Sequence, residues 1–301
     1  MVENIRILGR IKMGLKDGSS TLPLRFMASC EEYNKAEIVL VGVPMDFTCS
    51  LRPGTRFGPQ KIREVSIGIE EYSVYMDKDL TESLFFDCGD LDMPFGNVEA
   101  SLKLIGESAK EILDDGKFPL FIGGEHLISV PVIKEVHKKY GDELIILHFD
   151  AHADLREGYI GCPNSHASAI RRLIDFMPGK NIYQFGIRSG TREEFQFAKN
   201  NTNMYKFDVL EPLAEVVKTL GSKPVYITLD IDVVDPAFAN GTGTPEPGGI
   251  TSREMLKAVE MLKGLNIVGF DLVEVSPIFD QSDRTALLAA KIIRDIILTV
   301  K

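Results

Sequence analysis

Residues 143–154 read ELIILHFDAHAD, an apolar run that closes on Asp150 and then alternates through His152 and Asp154. A run with no polar alternation before its end reads as a strand covered on both faces, the mark of a parallel sheet. Similar runs lie to either side: AEIVLVGVP (36–44), FPLFIGG (118–124), NIYQFGI (181–187), PVYITLDID (224–232) and NIVGFDLVEV (266–275). Amphipathic segments at 59–71, 98–115, 127–140, 192–200, 211–220, 252–263 and 284–298 are the helix candidates among them. This alternation predicts an α/β fold: a three-layer α/β/α domain with a central, mostly parallel sheet and right-handed crossovers.

No internal repeat, low-complexity tract or linker divides the 301 residues, so one domain spanning 1–301 is expected. Residues 1–30 read as an N-terminal arm, because Gly18 to Pro23 is a Gly-Ser-Thr-Pro segment. A net charge of −10 disfavours nucleic acid and anionic membranes as partners and favours a small cation. The first twenty residues hold no continuous apolar segment, and no apolar stretch elsewhere is long enough to span a bilayer. A soluble, cytoplasmic protein is expected. Cys30, Cys49, Cys88 and Cys162 are widely spaced and form no Cys-x-x-Cys, which argues against a disulfide staple and a structural zinc site.

In open α/β sheets ligands collect beyond the carboxyl ends of the strands. Three such ends are rich in donors: Gly123-Gly124-Glu125-His126, Asp150-Ala151-His152-Ala153-Asp154 and Asp230-Ile231-Asp232. Extended residues at i, i+2 and i+4 share a face and step by about 6–7 Å, so Asp150, His152 and Asp154 can converge, as can Asp230 and Asp232. Carboxylates and imidazoles without a thiolate favour a hard or borderline ion such as Mn(II). Four aspartates balance two divalent ions, and paired metals produce and orient a hydroxide near neutral pH. A lone Asp at a strand end is usually a cap or turn former. The joint pattern Asp-x-His-x-Asp plus Asp-x-Asp is hard to explain by turn chemistry.

Together with Ser165-His166-Ala167-Ser168, residues 229–236 (LDIDVVDP), 241–249 (GTGTPEPGG) and 271–277 (DLVEVSP), these motifs resemble the ureohydrolase family of arginases and agmatinases. Gly42-Val43-Pro44-Met45-Asp46 and Arg52-Pro53-Gly54-Thr55-Arg56-Phe57-Gly58-Pro59 are similar to the agmatinase branch. The resemblance runs from about residue 37 onward and implies an arginase-like fold. It also implies two Mn(II) per chain, one held by His126, Asp150, Asp154 and Asp230 and the other by Asp150, His152, Asp230 and Asp232. Asp150 and Asp230 would bridge them. Glu125 stands where arginases usually carry Asp, next to a ligand rather than among the ligands.

The resemblance further implies hydrolysis of a guanidinium to urea and an amine by a metal-bridging hydroxide. Glu274 would bind the guanidinium, Asp154 would orient the hydroxide, and His166 would exchange protons. His148 reads as a buried structural histidine and His137 as an exposed helix residue. Arg156, Glu157 and Tyr159, between the metal motif and His166, are expected at the substrate mouth. The turn Gly186-Ile187-Arg188-Ser189-Gly190-Thr191 lacks the acids with which arginases read an amino acid. Agmatine, giving putrescine and urea, is therefore the expected substrate.

A guanidino acid such as 4-guanidinobutyrate is the runner-up, since Arg156 would suit its carboxylate; arginine comes after it. From other classes, a single-zinc deacetylase-like enzyme is disfavoured by the second Asp-x-Asp set, and a non-catalytic polyamine-binding homologue by the complete ligand set. The resemblance also implies a cytosolic homo-oligomer, a trimer or hexamer.

Overall fold

The structure, a computed structural model, describes residues 24–300. Most of the N-terminal arm, residues 1–23, lies outside the described residues. Its end is anchored: Phe26 and Met27 are buried, and their N–H groups donate to Asp87 and Ser66.

The six apolar runs form strands β1 (Ile38–Val43), β5 (Phe118–Gly123), β6 (Ile145–Phe149), β7 (Ile182–Ile187), β9 (Pro224–Asp230) and β10 (Asn266–Val273). Two more strands complete the sheet, β4 (Phe85–Asp90) and β8 (Asn203–Lys206); a small antiparallel hairpin, β2 (Tyr72–Ser73) and β3 (Lys78–Asp79), stands apart. The order is β4-β1-β5-β10-β9-β6-β7-β8 and every pairing in this sheet is parallel. The two strands absent from the sequence reading are the two edges. An edge strand pairs on one side only and tolerates Asp, Asn and Lys, so its apolar signal is diluted.

Helices α1 (Gly58–Ser66), α2 (Val98–Asp114), α3 (Ser129–Tyr140), α4 (Ala169–Leu173), α5 (Arg192–Asn201), α6 (Leu210–Leu220), α7 (Ser252–Met261) and α8 (Arg284–Thr299) cover the sheet. Alternate residues of β1 show why both faces need covering. Ile38 and Leu40 join the core beneath α1, α6, α7 and α8, while Val39, Val41 and Val43 join the one beneath α2, α3, α4 and α5. Burying each such side chain contributes about 1.5–3 kcal/mol. Helix α1 stops at Ser66 rather than 71, because the chain turns at Gly68 toward the hairpin. Helices α5 and α7 begin where Thr191/Glu194 and Thr251/Glu254 close capping boxes.

Register aligns the strand ends. Phe149 pairs with Leu229, Leu229 with Leu272, and Leu272 with Ile122. The residues that follow, Asp150, Asp230, Val273 and Gly123, therefore stand side by side along one edge of four adjacent strands.

Candidate metal centre and cavity

Beyond those ends the chain turns instead of running on. Asp230 enters a 3-10 turn at Ile231–Val233, its side chain accepting from the Asp232 N–H at 2.8 Å. Asp154 takes a left-handed conformation, φ +51°. The side chains converge through these turns, not through the extended alternation expected from the spacing. His126 Nδ1 lies 3.0 Å from Asp150, 3.1 Å from Asp154 and 3.6 Å from Asp230. His152 Nδ1 lies 2.9 Å from Asp232 and 3.5 Å from Asp150. Gly124 permits the approach of β5 to β1 that places His126, since a Cβ there would stand 1.9 Å from the Met45 carbonyl oxygen.

Tautomers decide which imidazole is free. Thr228 donates its hydroxyl to Asp271 at 2.6 Å and so accepts the Nε2–H of His126 at 2.9 Å. His126 Nδ1 is then turned, buried, on three carboxylates, and although burial opposes charge on the ring, Asp150 and Asp154 hold its proton affinity well above the ordinary value. Electron-rich atoms this close require a cation among them, a proton or a metal ion. His148 differs: the Gln184 amide donates to its Nδ1 at 3.2 Å, leaving Nε2–H to donate to Asp150 at 2.8 Å. Its lone pair is used, so it orients Asp150 rather than binding an ion, although His126, His148 and Asp150 cluster closely enough to suggest one.

Charge shifts tell the same story. Burial, together with Asp232 and Asp150, pushes the Asp230 carboxyl well above its usual range. Burial opposes charge on His152, yet Asp232 and Asp150 push it up to about 12. The site takes up protons where a metal would sit. Its residues therefore fit a divalent-metal centre.

Glu274, at φ +65° just after β10, accepts from the His126 N–H at 2.9 Å and faces His166 Nδ1 at 3.3 Å, both through Oε1. Burial opposes charge on His166, but Glu274 pushes it up to about 9. Its Nε2 meets both the Ser50 N–H, at 3.1 Å, and the Ser50 hydroxyl, at 3.0 Å. Ser50 thus offers a donor to the neutral ring and an acceptor to the charged one. Asp154, Asp230 and His166 border a cavity of about 230 Å³ together with Arg156, Tyr159 and Glu194.

A sequence model of the arginase family matches residues 36–299. The chain belongs to the arginase family. An agmatinase of Bacillus anthracis is 54% identical over 276 residues, which are 91% of this chain and 95% of that protein. A guanidinobutyrase of Pseudomonas aeruginosa is 35% identical, with 96% and 95% covered. The solved agmatine ureohydrolase of Thermoplasma volcanium superposes with a TM-score of 0.84 at 31% identity, covering 94% and 95%. This arginase-family chain is an agmatinase-like ureohydrolase, and its three-layer α/β/α fold is the family's.

Of the residues expected at the ureohydrolase's substrate mouth, Arg156 and Tyr159 line the cavity. Glu157 does not join them: its side chain is 89% exposed and points to Arg171, 4.0 Å away. The loop turns there, so the acid faces solvent. Arg188 binds the carbonyls of Asp232 and Glu246, each at 2.7 Å, and so ties the 241–249 loop to the metal motif. Glu125 holds the Thr48 N–H and hydroxyl, both at 2.7 Å, and the Thr48 hydroxyl in turn accepts the His166 N–H. Sequence reasoning passed over Thr48, Ser50, Glu194, Thr228 and Asp271. Only Asp271 left a signal, a carboxylate inside an apolar strand.

Proposed function

We propose that this chain hydrolyses agmatine to putrescine and urea with two Mn(II) per chain. The observation that carries the reading is the His126 Nδ1 set among Asp150, Asp154 and Asp230, of which Asp154 and Asp230 border the cavity together with His166, itself 3.3 Å from Glu274. His126, Asp150, Asp154 and Asp230 would hold one ion; Asp150, His152, Asp230 and Asp232 the other. When bound, the metal pair supplies ionised water near neutral pH to attack a resonance-stabilised carbon.

The chain's own residues do the rest. Oε1 of Glu274 is taken by His126 and His166, which leaves Oε2 to accept the guanidinium N–H groups and fix the plane of the carbon. Asp154, held at a left-handed turn on the cavity wall, accepts the proton of the attacking water. His166 delivers a proton to the departing amine as the C–N bond breaks, and Ser50 serves the ring in either protonation state.

The 54% identity to a named agmatinase supports agmatine over a guanidino acid. No helix among the described residues is long and apolar enough to cross a membrane. We read the enzyme as a cytoplasmic homo-oligomer, trimeric or hexameric, built from one ureohydrolase domain. The test is urea release by Mn-loaded protein from agmatine, 4-guanidinobutyrate and arginine, with metal content measured in parallel. Urea from agmatine and about two Mn per chain support the reading; urea only from 4-guanidinobutyrate overturns the substrate, and one zinc overturns the centre.

A further inference from the structure

Arg156 is the cation that a guanidino acid would seek in the cavity, yet it is already engaged. Its guanidinium lies over the Tyr159 ring, 5.4 Å from the centroid, and its Nε is 3.6 Å from Oε2 of Glu194. Glu194 is 4% exposed and Arg156 37%, and both border the same cavity as the metal motif. Glu194 is held from two sides. Its Oε1 accepts the Leu155 N–H at 3.0 Å and its Oε2 the Thr191 N–H at 2.8 Å, in the first turn of α5, where the helix dipole favours an anion. Because Leu155 directly precedes Arg156, the same carboxylate fixes the loop that carries the cation and offsets its charge.

The geometry points to Glu194 as the residue that sets which substrate tail the cavity accepts: by neutralising Arg156 it rejects a carboxylate-ended guanidino compound and admits an ammonium-ended one. This rests on the ureohydrolase reading above. An anionic tail must compete with Glu194 for the guanidinium and is repelled by the acid itself; a cationic tail meets neither cost. The two charges therefore act in opposition, and removing either one should move selectivity in a different direction.

The experiment measures kcat/KM for agmatine and for 4-guanidinobutyrate on Mn-loaded wild type, Glu194→Gln, Arg156→Gln and the double variant. Thermal melts establish that each is folded. Glu194→Gln should lower the agmatine to guanidinobutyrate ratio about tenfold through faster turnover of the acid. Arg156→Gln should raise the ratio, and the double variant should return toward wild type. If Glu194→Gln does not fold, the rise in Arg156→Gln alone decides. Both single variants moving the ratio the same way, or a folded Arg156→Gln with an unchanged ratio, overturns the assignment. A wild type that prefers 4-guanidinobutyrate overturns the agmatine reading instead, while opposed shifts in the variants still support the role of Glu194.

Discussion

His126 Nδ1 and Asp150 Oδ2 lie 3.0 Å apart, while the other ring nitrogen of His126 gives its hydrogen to Thr228. A cation, proton or metal ion, has to stand between His126 and the carboxylates around it. Chelator-treated protein should therefore gain stability as Mn(II) is added, by about 2.7 kcal/mol at a hundredfold excess over Kd. Calorimetric melts at rising Mn(II) check this, and an unchanged Tm contradicts it. Asp232→Ala should lower bound Mn and urea output together; full activity in that variant removes the paired-metal assignment.

Glu274→Gln keeps one oxygen for His126 but loses the charge that would face the substrate. We expect kcat/KM to fall about 100-fold, with Mn content held. Steady-state urea assays beside metal analysis separate this from loss of the centre. Retained activity would place the guanidinium elsewhere.

His166 stands near 9 in the folded chain, above its ordinary 6.5, because Glu274 outweighs the burial that disfavours its charge. The fold binds this proton more tightly than the unfolded chain does. Its contribution is complete below pH 6.5 and disappears as pH rises through 9. The difference in unfolding free energy between metal-free wild type and His166→Asn should follow that course. A difference that grows with pH has the wrong sign.

Arg63 is buried in a fork of acids, with Nε 2.7 Å from Asp87, Nη1 2.5 Å from Asp90 and Nη2 2.9 Å from Asp87. Removing the cation leaves Asp87, buried, and Asp90, largely buried, without a counter-ion, Asp87 keeping only the N–H groups of Phe26 and Gly89. Arg63→Met should cost about 3–5 kcal/mol, read from the urea unfolding midpoint. A loss under about 1 kcal/mol would show that the acids find other partners.

Gly124→Ala would drive a Cβ into the Met45 backbone, 1.9 Å from its carbonyl oxygen. Backbone has to move there, directly before Glu125 and His126. Stability should drop by about 3 kcal/mol and Mn affinity with it, measured by melts and metal titration. Wild-type values for both would mean that β5 and β1 can separate without disturbing the site.

The six interior strands were legible because β1, β5, β6, β7, β9 and β10 are apolar on both faces, a pattern that composition alone carries. The edges β4 and β8 were not, since Asp87, Gly89 and Asp90 in one and Asn203 and Lys206 in the other break the run. Asp87 is apolar-compatible only because Arg63, far away in sequence, neutralises it. The donors at the strand ends were likewise visible as residue types. The outward turn of Glu157 and the inward pairing of Arg156 with Glu194 were not, because a loop's side-chain directions depend on what packs against it.

Local chemistry, then, was enough to name the six interior strands, the helices at 192–200 and 252–263, and the acids and histidines able to hold a cation. Parallel register decided the rest. It set Phe149 beside Leu229 and Leu272 beside Ile122, brought four strand ends level, and so turned separate motifs into one cage. Pairing across a sheet is a contact between distant segments, and its energy is written in neither segment by itself.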